Sequence, residues 1–135
     1  MNLSFLLAVL AYVVPTMPLG LLWHLTVFRR RYESLEVYRS DMIIPFGVAS
    51  MVIQGFVWAT LYSRLFAAEG VIVGAAKFAA LAAPLAWSFA VLPVAAKHRM
   101  NSVRGFVALE SGFTALQYVV VSPLIALAFS VGQSP

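Results

Sequence analysis

Two side chains with acid–base chemistry, His24 and Glu110, sit inside long apolar runs of this chain. An ionisable group in such a place is expensive unless it is paired or used, so each is a functional candidate. An imidazole beside a carboxylate can share a proton, contact a ligand, or fix the register of two helices. Counted at about 1.5 Å per residue, His24 lies about 6 Å and Glu110 about 8 Å from the ends of their runs, so the two can meet. His24 could also ligate haem or a metal. The only other histidine, His98, falls in a connecting segment, so no second axial ligand is apparent and no cofactor is expected.

Uncharged polar residues extend the set. Gln54 and Gln117 share a depth of about 18 Å by the same rise. Amides at one depth hydrogen-bond across helices for about 1 kcal/mol. Glu110, Thr114 and Gln117 fall on one helical face by their spacing. Gly47, Ser50, Gln54 and Trp58 form a second small and polar stripe. Both stripes are expected to face the interior of a bundle, with room for a narrow polar cavity. Lys77, about 9 Å inside the opposite end, is expected to reach outward towards Glu69.

Other chemistry is missing. No serine–histidine–acid set, glycine-rich phosphate loop or metal-ligand spacing occurs, so no catalytic residue is assigned. The run Lys97-His98-Arg99-Met100-Asn101 resembles basic stretches of glutathione-using membrane enzymes, yet lacks the carboxylate expected close behind it. There is no cysteine, which excludes disulfides and thiolate chemistry.

The elements that carry these residues follow from composition. Of 135 residues, 62% are hydrophobic and 10% charged, with a mean hydropathy of +0.92. A soluble domain carries about a quarter charged residues, so this chain cannot cover a water-facing surface. The net charge of +4 sits at the ends of apolar runs, where membrane topology uses it, and does not point to nucleic acid. The fold expected is all-α: one domain, residues 1–135, an antiparallel bundle of four transmembrane helices. The spans run from Leu3 to Phe28, Met42 to Phe66, Val71 to Val94 and Gly105 to Phe129. The first is read as a retained span, because its basic residues follow the apolar run instead of preceding it.

Arg29, Arg30, Arg31 and Arg39 lie between spans one and two, and Lys97, Arg99 and Arg104 between spans three and four. Excess Lys and Arg marks the cytoplasmic side, so both termini should lie on the outer, periplasmic or extracellular side. Residues 67–70 make a tight hairpin. The first connection is long enough for a surface helix bearing Tyr32, Leu35 and Tyr38, or for a plain loop. The third span is rich in Ala and Gly, which favours close approach, so a central or subunit-contact position is expected for it. Gln54 follows Trp23 by 31 positions and Gln117 follows Trp87 by 30. Either a duplicated helix pair or chance likeness of apolar helices explains this.

At Pro18-Leu19-Gly20-Leu21-Leu22-Trp23-His24, Ile44-Pro45-Phe46-Gly47 and Phe106-Val107-Ala108-Leu109-Glu110-Ser111-Gly112-Phe113, the chain resembles a class of small bacterial four-span membrane proteins of unknown function. The resemblance implies a multi-pass protein of the inner membrane and carries no activity. Two function classes stay open. One is a non-catalytic accessory or packing subunit, in a homo-oligomer or larger membrane complex. The other is a small oligomeric transporter or ligand carrier using His24, Glu110, Gln54, Gln117, Thr114 and Ser50.

Overall fold

A computed structural model describes residues 2–39 and 41–131. Every regular element among them is helical. Helix α1, Leu3–Leu22, starts where the Asn2 side chain accepts a hydrogen bond from the Phe5 amide at 3.0 Å. It widens into a π-helical turn, Trp23–Val27, and runs on into α2, Arg29–Leu35. Helices α3, Ile44–Leu65, and α4, Val71–Ala90, follow, joined by a tight turn. A break at Val91 leads to α5, Leu92–Lys97, and the chain closes with α6, Val103–Val131.

Four segments are long and apolar enough to cross a membrane: Leu3–Val27, Ile44–Leu65, Val71–Lys97 and Val103–Val131. The third outlasts its expected end because Pro93 stands in the first turn of α5, where a missing amide donor costs little. The first connection is helical over Arg29–Leu35, with Tyr32 and Leu35 buried. Tyr38 lies beyond the helix, past Glu36, whose φ of 54° ends α2 in the left-handed region. The two longer connections brace each other, since Asn101 donates to the Leu35 carbonyl from its amide at 3.1 Å and to the Ser34 carbonyl from its side chain at 2.9 Å.

The centre of the chain belongs to α6 instead of the alanine-rich α4. Helix α6 buries 44% of its most apolar stretch, against 22% or less in the other three segments. It packs against both α1 and α4, while α3 lies on α1. Helix α4 buries Gly74, Ala75, Phe78 and Ala82, so its small residues serve close approach on one face only. Tyr118, Val121, Ile125 and Phe129 of α6 are buried, whereas Ala76, Ala80 and Ala90 of α4 stay exposed. Towards the Arg64 end, Tyr62 stacks on Phe129 at 5.3 Å and meets Phe78 edge-on at 5.5 Å. Trp58 adds edge contacts to Phe78 and Tyr118 at 6.0 Å each.

Gly74 lets α4 close on this aromatic cluster. A Cβ there would lie 2.4 Å from the Tyr62 hydroxyl and 3.3 Å from the Phe66 carbonyl. Tyr62 is 1% exposed and cannot swing aside. Gly74→Ala is therefore expected to cost about 1–3 kcal/mol in a detergent unfolding measurement, with partial recovery on adding Tyr62→Phe. A neutral Gly74→Ala would contradict this packing.

Candidate functional site

Helix α1 changes pitch just where its histidine stands. Pro18 supplies no amide to the Val14 carbonyl, which thins the ladder. The wide turn begins five residues beyond Pro18, and the Phe28 amide reaches back to the Trp23 carbonyl at 3.0 Å. Such widened turns re-aim side chains and are frequent at functional sites. Gly112 of α6 leaves room for Trp23, because a Cβ there would come within 3.2 Å of the indole ring.

His24 uses both ring nitrogens. Nδ1 lies 2.9 Å from the Gly20 carbonyl and Nε2 lies 3.2 Å from Glu110 Oε1. A carbonyl can only accept, so Nδ1 carries a hydrogen and donates it. A neutral ring then offers only a lone pair at Nε2, so one more proton must lie between Nε2 and Oε1. Two hydroxyls bear on its position. Tyr32 and Tyr38 each donate to the same Oε1 at 2.8 Å. The Tyr32 oxygen meanwhile accepts from Trp23 Nε1 at 3.2 Å, which keeps its own hydrogen on Glu110. Three donors converging on one oxygen suit a carboxylate facing an imidazolium. Among the described residues the second carboxylate oxygen has no hydrogen-bond partner.

The surroundings are aromatic. Phe113 meets the His24 ring edge-on at 4.7 Å, and Tyr32 stacks on Tyr38 at 5.4 Å. The His24 and Glu110 side chains are 22% and 12% exposed, so the pair is shielded but not sealed. Burial, and after it the negative charge of Glu110, pushes the Tyr32 hydroxyl well above the ordinary tyrosine range, while Tyr38 is 48% exposed.

A second polar cluster lies about 10 Å further along α6, seven residues on. Gln117 Nε2 donates to the Tyr12 hydroxyl at 3.1 Å and to Thr16 Oγ1 at 3.2 Å. Tyr12 in turn donates to Gln54 Oε1, and Gln54 Nε2 donates to Ser50 Oγ at 2.9 Å. Gln54 and Gln117 are thus linked through Tyr12 and not to each other. The Trp58 indole nitrogen and the Tyr118 hydroxyl lie near Tyr12 but outside hydrogen-bond geometry.

The sequence candidates divide accordingly. His24 meets Glu110, and Gln117 joins Gln54 and Ser50 by way of Tyr12. Thr114 takes part in neither cluster, because its hydroxyl donates to the Glu110 backbone carbonyl at 2.8 Å. The stripe on α3 does not face inward. Gly47, Ser50 and Gln54 are exposed and only Trp58 is buried, because α3 engages its neighbours through Gly55, Trp58, Ala59 and Tyr62. Lys77 pairs with Glu69, as its depth suggested. With both nitrogens engaged, His24 offers no free ligand atom to haem or metal in this arrangement. Among the described residues no group of three metal-ligating side chains comes together.

The sequence reading leaves out Tyr12 and Thr16, and gives Tyr32 and Tyr38 only a place on a surface helix or loop. A tyrosine inside an apolar run needs a partner for its hydroxyl, and that signal was available at Tyr12. The spacing that puts Tyr38 on a surface helix with Tyr32 and Leu35 does not hold, since α2 ends at Leu35 and an irregular segment carries Tyr38. Neither family models, nor curated proteins, nor solved structures match this chain.

Chemically, the Glu110 centre is a hydrogen-bonded carboxyl–imidazole contact that ties the first connection to α1 and α6. In a double-mutant cycle, Glu110→Gln and His24→Ala should couple by about 0.5–3 kcal/mol, and additive effects on unfolding would refute the contact. Because the fold opposes ionisation of Tyr32, the stability from its neutral hydroxyl is whole below the ordinary phenol pKa of about 10 and declines as pH climbs above it. An alkaline absorbance titration of the folded protein should therefore be unchanged near that pH by Tyr32→Phe. Loss of an ordinary tyrosinate step in the variant would contradict the burial.

Proposed function

We propose that this chain is a multi-pass protein of the bacterial inner membrane that serves as a non-catalytic packing subunit for a partner helix. In this reading the four helices form an antiparallel transmembrane bundle with both termini outside. Large apolar side chains crowd the surface, with Ile72 84%, Phe89 74%, Val119 70% and Leu3 69% exposed. Patches of this kind suit hydrocarbon and would aggregate in water. Arg29, Arg30, Arg31, Lys97, Arg99 and Arg104 support a cytoplasmic position for the two longer connections. The resemblance to small four-span proteins supports the inner membrane.

One observation carries the packing role. The first half of α3 is uncovered, with every described side chain from Asp41 to Ser50 exposed and Gln54 exposed beyond it. Gly47, Ser50 and Gln54 mark one face of that half. Gln54 spends one amide hydrogen on Ser50 and keeps another. An amide left facing hydrocarbon is costly, and a neighbouring helix that accepts its hydrogen bond removes the cost. Gly47, two turns away on the same face, lets such a helix approach. The partner is a second copy of the chain or another membrane protein.

The chain has no native cysteine, so single cysteines report contacts cleanly. Gly47→Cys and Ser50→Cys, oxidised or treated with a short crosslinker in native membranes, should give one discrete adduct. Ile72→Cys, on the exposed face of α4, serves as the collision control. Yields at residues 47 and 50 no higher than at 72 would remove the packing role. Adducts that form only on ligand addition would favour the carrier reading.

A further inference from the structure

At the end opposite the three arginines, α1, α3 and α6 leave an open depression of about 440 Å³. Its floor is aromatic, with Phe5 and Phe56 facing each other at 6.0 Å and Phe129 beside them. Its rim carries Arg64 and Asn2. Phe56 and Thr60 also line a second depression of about 280 Å³, which continues along α3 past Val57 and Leu61. Together they make a furrow reaching about 12 Å from Arg64 at the helical rise of α3. The hydroxyls of Thr60 and Ser63 donate to the backbone carbonyls of Phe56 and Thr60 at 2.8 Å, so little polarity remains along the wall.

The charge at the rim is unspent. Among the described residues Arg64 makes no ion pair or hydrogen bond, while Lys77, the other cation at this end, is held by Glu69. The Asn2 side-chain oxygen caps α1, and its amide nitrogen has no hydrogen-bond partner among the described residues. A guanidinium and an amide donor above a hydrocarbon furrow match an amphiphile: a net-anionic headgroup carried on hydrocarbon chains. A free anion would leave the furrow unused, and a neutral lipid would leave Arg64 unmatched.

We infer that this furrow binds a phospholipid with an anionic headgroup, the phosphate on Arg64 and Asn2 and one acyl chain laid along Phe56, Val57 and Leu61. The inference rests on the bilayer placement above but not on the packing role, since the furrow and the uncovered half of α3 lie at opposite ends of that helix.

The test uses the whole chain in mild detergent with phosphatidylglycerol carrying a photoreactive acyl chain, and the matching phosphatidylcholine. The phosphatidylglycerol probe should label residues 56–61 about fivefold more than the phosphatidylcholine probe, the value of one basic residue against an anionic surface. Arg64→Gln should erase that preference, and Arg64→Lys should keep most of it. Thr60→Trp, filling the furrow with Arg64 intact, should lower labelling by both lipids. Equal labelling by the two probes, a preference that survives Arg64→Gln, or label confined to the segments 29–31 and 97–104 would each overturn the site. A chain that stays dissolved without detergent would instead overturn the bilayer placement.

Discussion

The carboxylate of Glu110 gathers three parts of the chain at one oxygen. Through His24 it holds the end of the first long helix, through Tyr32 the short helix that follows, and through Tyr38 the irregular segment beyond. A carboxylate in such surroundings is stable only with its donors in place. That requirement fixes where the first connection can lie. Once Tyr32 and Tyr38 face Glu110, Leu35 is turned inward and its carbonyl is presented to Asn101.

The second polar cluster does comparable work by gentler means. Gln117, Tyr12, Gln54 and Ser50 form a line of neutral donors and acceptors running from the buried face of α6 to the surface of α3. Each bond is modest, yet the line sets how α1 sits between its two neighbours. Beyond it the chain relies on shape. Tyr62, Phe78, Trp58 and Phe129 interlock around a glycine, and no charge enters. Polar specification therefore gives way to aromatic packing along the length of the molecule.

Much of this was legible beforehand. Length and hydropathy marked the four long segments, and counting residues brought His24 level with Glu110 and Lys77 within reach of Glu69. What escaped was rotational. Spacing shows that Gly47, Ser50 and Gln54 share a face, but not which way that face looks. The helix commits instead to the side bearing Gly55, Trp58 and Tyr62. The alanines of α4 misled for a related reason: small residues allow contact without demanding it, and α6 had the larger side chains to bury. The spacing of Tyr32, Leu35 and Tyr38 suggests a surface helix through all three, but the helix ends at Leu35 and Tyr38 reaches Glu110 from the irregular segment beyond.

Asn101 ties the two longer connections to each other. By binding the end of α2 it joins the cations of both connections, Arg30 and Arg31 with Lys97 and Arg99, into a single body. Separate charged loops could in principle slip through hydrocarbon one after another during assembly. Stitched together they would have to cross at once, and each charge at the bilayer centre costs several kcal/mol. In a bilayer, engagement of Asn101 would therefore make inversion of this end more costly than it is for two separate loops.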